Sequence, residues 1–466
     1  MAGTNELHWL SIGEASQLIE KRRLSPLELT RAVLERIQEV DGRLKAFVTL
    51  LDNEAEASAR AAEESIRRGQ YRGPLHGIPV AIKDLYDTAG VKTTSCSKLR
   101  ESYVPKTDCT VVRKLREAGA IILGKVTTHE FAFGFDSRPT RTPWNLDYTP
   151  SGSSGGSGSA LAAGMCLGAT GSDTGGSIRA PAAVNGIAGI KPTYGRVSKQ
   201  GVAVLSWSLD TTGPMARTVK DLALMLSVMA GHDPLDETTA DVPVPDYVAA
   251  LTGEIRGMRV GVPKNYFFDD VQPHVAEAVQ AALKTLEAQG ASLVEVTIPD
   301  AEYIVPIFFS IVIPEAASYH HTAFQERGQE YGDDVRALLE TGEMFLATTY
   351  ITAQRARAAF KNTLREAFRG INVLATPTLP VTAAKAGQAT YRFGDRDEPV
   401  FAAFARFCCP FNLTGLPAVS VPCGFSPDGL PIGLQLVGKP FDETSVLRAA
   451  DAFERTTDWH TRRPQI

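Results

Sequence analysis

The sequence predicts an α/β fold with a mixed β-sheet at its core, and three observations carry that expectation. Stretches of helical period alternate with short apolar runs of strand length along most of the chain. The 466 residues, 44% of them hydrophobic and 22% charged, supply core for two to three domains or for one large α/β unit with insertions. No internal repeat, coiled coil or low-complexity tail breaks the alternation.

The elements follow in order. "SIGEASQLIEKRRLSPLELTRAVLERIQEVDGRLKAFVTL" reads as two amphipathic helices, the second capped by Ser25 with Pro26 at its first position. "NEAEASARAAEESIRRG" is a third helix, rich in Ala, Glu and Arg. "LHGIPVAIKDLYD" is a buried strand, and "DCTVVRKLREAGAIILGKVTTHEFAFG" reads as helix, strand and loop. A strand restarts at "RGMRVGVPKNYF", followed by a helix from Pro273 to Gly290 and the strand "SLVEVTIP". Residues 301–369 are largely helical, "INVLATPTLP" and "LPAVSVPCGFSPDGLPIGLQLVG" return to strands, and "DETSVLRAADAFERTTDW" closes the chain as a helix. "GHDPLDETTADVPVPD" reads as a surface connection.

Composition excludes several function classes. The formal net charge is −5 and no Lys/Arg block stands out, which argues against a nucleic-acid partner. Six cysteines, Cys96, Cys109, Cys166, Cys408, Cys409 and Cys423, form no C-x-x-C pair and no repeated spacing. That argues against a disulfide framework or structural zinc and fits a reducing cytoplasm. The N-terminal residues lack an apolar signal region, and no run of eighteen apolar residues suggests a membrane span.

One segment is anomalous. "TPSGSSGGSGSALAAGMCLGATGSDTGGSIRAPAA", Thr149 to Ala183, is as rich in Gly and Ser as a flexible linker, yet it is threaded with apolar residues that want burial. A phosphate cradle is a second reading, but no Lys follows the glycines as G-x-x-x-x-G-K-[ST] requires. A third is an acyl-transfer site. In "SDTGGSIR", Ser177 follows two glycines, which let successive backbone N–H groups converge on a developing oxyanion.

A serine nucleophile needs a base. None of the eight histidines lies in a G-x-S-x-G context, and only His76 and His129 fall near the motif segments. Lys83 is the better candidate. It ends the apolar run of "GIPVAIKDLYD", where burial lowers a lysine pKa and alternation turns Asp84 to the opposite face. Read from that segment alone, Lys83 is a strand end paired with Asp84.

Taken together, "GIPVAIKD", "GSSGGSGSALAAG", "GSDTGGSIRAPAA" and "GIKPTYGRVS" resemble the amidase signature family, over essentially the whole chain from "SPLELTRAVLERI" onward. The resemblance implies the amidase-signature fold, a large central mixed sheet flanked by helices on both faces. It implies one domain over residues 1–466: an N-terminal helical region to about 65, a catalytic core at 66–230, a variable helical pocket region at 231–370 and the rest of the core at 371–466. It further implies a Ser–cis-Ser–Lys triad. By that likeness Ser177 is the nucleophile, Ser153 the bridging serine after a cis peptide, and Lys83 the base. The backbone of Thr174, Gly175, Gly176 and Ser177 forms the oxyanion hole. Ser154 holds the loop, and Asp173 and Arg179 brace the turn. The implied reaction is hydrolysis of an amide C–N bond through an acyl-enzyme, with no metal or cofactor.

Substrate identity is read from departures and from apolar content. The glutaminase subunits of tRNA-dependent amidotransferases share "GSDTGGSIRAPAAVNGIAGIKPTYGRVS" and "SLDTTGP" almost intact. Where that branch has an Asp, this chain has Ala405, and "VRALLETG" replaces its paired arginines. Phe308 and Phe309 in "YIVPIFFSIVIPEAASYHH" instead suggest an apolar pocket for bulky or aryl amides, anilides or carbamates. The expected partner is that small molecule, with no nucleic acid and no membrane, in a monomer or homodimer. The loop "GFDSRPTRTPWNLDYTP" is expected to leave the entrance open.

Overall fold

The computed structural model describes residues 4–466. Among them are thirteen strands: β1 Phe47–Leu50, β2 Pro79–Lys83, β3 Ile121–Val126, β4 Gly168–Asp173, β5 Ala188–Lys191, β6 Thr211–Ala216, β7 Arg259–Pro263, β8 Ser292–Val296, β9 Val373–Pro377, β10 Thr390–Phe393, β11 Arg396–Pro399, β12 Ala418–Phe425 and β13 Pro431–Val437. Eleven of them make one mixed sheet, in the order β1-β3-β2-β4-β6-β5-β12-β13-β9-β7-β8, and β10-β11 is a separate hairpin. The pairs β2–β3, β2–β4, β7–β8 and β7–β9 are parallel and the rest antiparallel.

Local chemistry explains the helices that were legible. Ser25 caps Pro26–Leu44 by accepting from the Leu27 and Glu28 N–H groups, and Pro26 fills a position whose N–H is unpartnered in any helix. The helix from Pro273 runs to Ala288, and the closing helix is Glu443–Arg455. Residues 301–369 form the helices Ile304–Arg327, Asp333–Glu343 and Ala347–Ala367.

Several elements differ from the sequence reading. "FVTL" is not helical; it pairs antiparallel with β3 as an edge strand of β-branched and aromatic residues. β4 and β6 were not expected, because "GATGSD" carries no β-branched apolar run; β4 is a strand because β2 and β6 pair with it on its two sides. The stretch Ala301–Glu330 is long and apolar enough by length and composition to cross a membrane, with mean hydropathy 1.4. Its apolar run is interrupted by Ser310, Glu315 and the histidines, and half of the apolar window is buried, the helix packing on Asp333–Glu343 and Ala347–Ala367.

The sheet's central strands are wholly buried, with β2, β3, β4, β5, β6, β9 and β13 buried at every position. The short helix Arg179–Asn185 packs on β5, β12 and β13. It therefore holds the residues after "SDTGGS" against the seam where the early and late parts of the chain meet.

Candidate active site

β2 and β4 run parallel in adjacent positions, with Val80 opposite Gly168 and Ala81 opposite Ala169. Their C-terminal ends therefore lie together, and those ends carry Lys83 and Asp173. The Lys83 N–H donates to Thr170 Oγ1 at 2.9 Å, which ties the two strand ends together.

Lys83 is fully buried. Its Nζ lies 2.7 Å from Ser153 Oγ, 2.8 Å from Ser154 Oγ and 2.8 Å from Ser172 Oγ. Burial is the main cause that lowers its pKa to about 7; the Asp173 and Asp210 carboxylates pull the other way. The pairing with Asp84 does not form. Asp84 turns to the other face, accepts from the Thr94 and Cys96 backbone N–H groups, and has Lys125 Nζ at 3.9 Å.

The peptide between Gly152 and Ser153 is cis. The Ser153 carbonyl accepts from the His129 N–H at 3.1 Å and from Ser137 Oγ at 3.0 Å. Ser137 Oγ also accepts from the Gly155 N–H, so the loop 134–150 clasps the serine loop from one side. The Ser154 hydroxyl donates to the Ser172 carbonyl at 3.3 Å, leaving its oxygen to accept from Lys83. Ser172 had no signature in the sequence: a serine inside a glycine-rich strand looks like filler until the strand pairing places it.

Ser177 is 4% exposed, and among the described residues its hydroxyl makes no hydrogen bond. The turn that carries it is organised by Asp173. This carboxylate accepts from the Gly176 N–H at 2.8 Å, the Ile178 N–H at 3.1 Å, Arg179 Nε at 2.9 Å and Asn412 Nδ2 at 2.8 Å. Burial opposes its ionisation, but the Arg179 charge and these donors overcome that and hold it at about 2. Arg179 reaches on to the Cys408 carbonyl, Gln435 Oε1 and Asn412 Oδ1 at 2.7–2.9 Å. The pair is thus buried but fully satisfied. Asn412 and Gln435 were missed because nothing near them in the sequence marks them.

The expected oxyanion donors need one correction. The Gly176 N–H points into the Asp173 carboxylate and is not free. The N–H groups of Thr174, Gly175 and Ser177 have no partner within the described chain. Thr174 Oγ1 donates to Asp210 at 2.6 Å, and Asp210 accepts from the Leu205 and Ser206 N–H groups, so a second loop fixes the start of the turn. Glycine is required twice here. Gly176 has φ +134°, and a Cβ on Gly175 would lie 2.4 Å from the ring tip of Phe308.

Phe308 is buried against that turn, and Phe309 is partly buried beside it, their rings 5.0 Å apart. Phe309 lies 4.5 Å from Phe401, and Phe401 lies 6.3 Å from Phe135. These last two line a cavity of about 420 Å³. Its walls include Phe133, Ala337, Leu338, Ala384 and Val400, and its rim carries His129, Asp136, Arg138, Asp334 and Lys385. Phe308 and Phe309 do not themselves line it; they connect it to the Gly175 turn. Gly152 abuts the Phe135 and Asp136 backbone, which sets the cavity beside the serine loop.

A family model described as Amidase matches residues 28–447. An amidase of Pseudomonas putida is 46% identical, with 98% of each chain covered. A glutamyl-tRNA(Gln) amidotransferase subunit of Chloroflexus aggregans is 43% identical, with 99% of each chain covered. A solved structure concerned with a vestigial protein complex and the origins of an s-triazine catabolic enzyme superposes with TM-score 0.93 at 33% identity, covering 98% of this chain and all of the other.

Proposed function

This chain belongs to the amidase signature family, and we propose that it hydrolyses the C–N bond of bulky apolar amides, aryl amides and anilides foremost, through Ser177, Ser153 and Lys83. The observation that carries the substrate class is the cavity beside the serine loop. The segment that stands in place of the paired arginines of the amidotransferase branch contributes Ala337, Leu338 and Thr341 to its wall. Facing them are Phe133, Phe135 and Phe401. Ala405, where that branch has an acid, is completely buried and offers no charge to an α-amino group. An apolar, aromatic wall favours a ring or branched acyl group over a zwitterion.

The chemistry follows from the network. Neutral Lys83 has two N–H donors and one lone pair. Ser154 and Ser172 accept its two N–H groups, which leaves the lone pair facing Ser153 to take the Ser153 proton, while Ser153 in turn takes the proton of the otherwise unpartnered Ser177 hydroxyl in the reaction. The Ser177 oxygen then attacks the carbonyl carbon, and the oxyanion is received by free N–H groups of the turn. The proton returns through Ser153 to the nitrogen, the C–N bond breaks, and the amine leaves. Water repeats the relay to release the acid. A carbamate meets the same attack, giving a carbonate ester if the amine leaves or a carbamoyl ester if the alcohol leaves.

The test is one assay of the purified chain against an aryl anilide, an aryl carbamate and L-glutamine. Turnover of the anilide, lost in Ser177→Ala, is expected, and comparison with the carbamate ranks the two bonds. Turnover of glutamine alone would replace this reading by an ammonia-supplying one.

A further inference from the structure

The motif "SLDTTGP" brings in Ser208 and Asp210, and the proposed relay uses neither. Asp210 holds the start of the Ser177 turn by accepting from Thr174 Oγ1 at 2.6 Å. It also accepts from the Leu205 N–H at 2.8 Å and the Ser206 N–H at 3.0 Å. The loop from Leu205 to Asp210 is therefore the mount of that turn. What fixes the loop is a carboxylate more than a hundred residues further on, since Ser206 Oγ donates to Glu315.

Glu315 lies in the helix Ile304–Arg327 and is buried. A buried carboxylate needs donors in place of water, and the loop supplies them. Besides Ser206 Oγ, Glu315 accepts from the Ser208 N–H at 3.2 Å, Ser208 Oγ at 2.7 Å and the Tyr350 hydroxyl at 2.8 Å. Ser208 carries the load to a second route. Its hydroxyl and carbonyl each accept from the buried Arg357 at 2.9 Å, and Arg357 Nε donates to the Leu413 carbonyl at 2.7 Å. The neighbouring Asn412 holds Asp173, the carboxylate that organises the turn. Phe308, two helical turns before Glu315 in the same helix, is the ring packed against Gly175. One helix thus packs a ring on the turn and fixes the loop on which the turn is mounted.

We propose that Glu315 is a positioning residue for the oxyanion donors, a role that rests on the hydrolase reading above. It locks Ser206 and Ser208, and through Asp210 and Thr174 it fixes where the N–H groups of Thr174, Gly175 and Ser177 point. Those N–H groups have no partner among the described residues, so only the backbone around them sets their direction. The oxyanion they receive exists in the tetrahedral intermediate and not in the bound amide. A turn displaced by a few tenths of an ångström therefore costs rate and leaves substrate binding nearly unchanged.

The experiment follows the anilide of phenylacetic acid in steady-state kinetics of the full chain, with benzylboronic acid as inhibitor. Its boron takes up the Ser177 oxygen and becomes tetrahedral and anionic, the serine proton passing to the relay, so its affinity reports on the oxyanion donors. Glu315→Gln keeps the side-chain volume and one acceptor oxygen. It is expected to lower kcat by about tenfold with KM changed less than about twofold, and Glu315→Ala by about 10²-fold. The inhibition constant of benzylboronic acid should rise in step with the fall in kcat/KM. The Thr174→Val/Glu315→Gln double variant should lose less than the product of the two single losses. Circular dichroism shows which variants are folded, and Glu315→Gln alone decides the matter if Glu315→Ala is not. A lowered kcat with benzylboronic acid bound as tightly as before, or a lowered Tm with kcat intact, makes Glu315 structural alone and overturns the proposal, leaving the hydrolase reading intact. No turnover of the anilide by the native chain overturns the hydrolase reading and this role with it.

Discussion

Lys83 Nζ and Ser153 Oγ lie 2.7 Å apart although seventy residues separate them. Their meeting depends on a parallel pair of strands and on a loop whose carbonyl is held from behind by His129 and Ser137. Removing the Ser153 hydroxyl is therefore expected to cost rate without unfolding the loop. Ser153→Ala should slow acylation by about 10²–10⁴-fold, the usual scale for a lost proton transfer. Burst kinetics with an anilide would measure it, and an undiminished burst would remove Ser153 from the relay.

Ser172 should behave differently from Ser153. It contacts Lys83 and no reacting atom, so it positions the base. Ser172→Ala is expected to lower kcat by about tenfold with little change in KM, and Ser172→Thr, which keeps the hydroxyl, should recover most of it. A loss confined to thermal stability, with kcat intact, would make Ser172 purely structural.

The proposed relay needs Lys83 neutral, and burial lowers its pKa to about 7. Activity should thus rise with pH through about 7 and level off above it. A kcat/KM profile flat from pH 5 to 9, with chemistry limiting, would exclude Lys83 as the base.

Lys191 gives the matching stability prediction. It is fully buried, donates to the Pro192 carbonyl, and burial, then the Arg179 charge, lowers its pKa from 10.5 to about 7. The unfolded chain holds this proton up to about 10.5, so between pH 7 and 10 the unfolded state binds more protons and stability rises with pH. Below pH 7 the full penalty is present. Lys191→Met removes it, so the variant's Tm advantage over the native chain should be largest near pH 6 and shrink toward pH 10. An advantage independent of pH would contradict the shift.

Gly175 and Phe308 should be coupled. Gly175→Ala drives a methyl to within 2.4 Å of the Phe308 ring and displaces the turn that carries Ser177. A loss in kcat of about 10²-fold is expected. Adding Phe308→Ala to that variant should return part of it, and strictly additive losses would show the ring is not what Gly175 accommodates.

How much of this was readable follows from what each residue type signals. "PVAIK" announces a strand ending in a buried lysine because its apolar run exceeds what a loop tolerates. β4 announces nothing: its residues are small because Ser154, Met215 and Ile178 press on it, and only the folded sheet supplies those neighbours. The same holds for Asp84. Adjacency suggested Lys83 as its partner, and the pleat gave it to Lys125. Gly176 showed the limit in the other direction. Its flexibility was legible, but that its N–H would serve Asp173 depended on where the carboxylate turned.

The buried guanidinium of Arg179 also bears on how the chain is made. Its acid, Asp173, is six residues upstream, but its three other acceptors come 229, 233 and 256 residues later. A ribosome delivers them in one direction, so nearly the whole polypeptide must be synthesised before Gln435 is available. Until then the half of the sheet that includes β4, the strand leading into the Ser177 turn, has an exposed edge at β5, where β12 will later pair. The nascent chain therefore carries Ser177 on an unfinished sheet for most of translation, and the surroundings of that turn close only as the last two strands of that seam arrive.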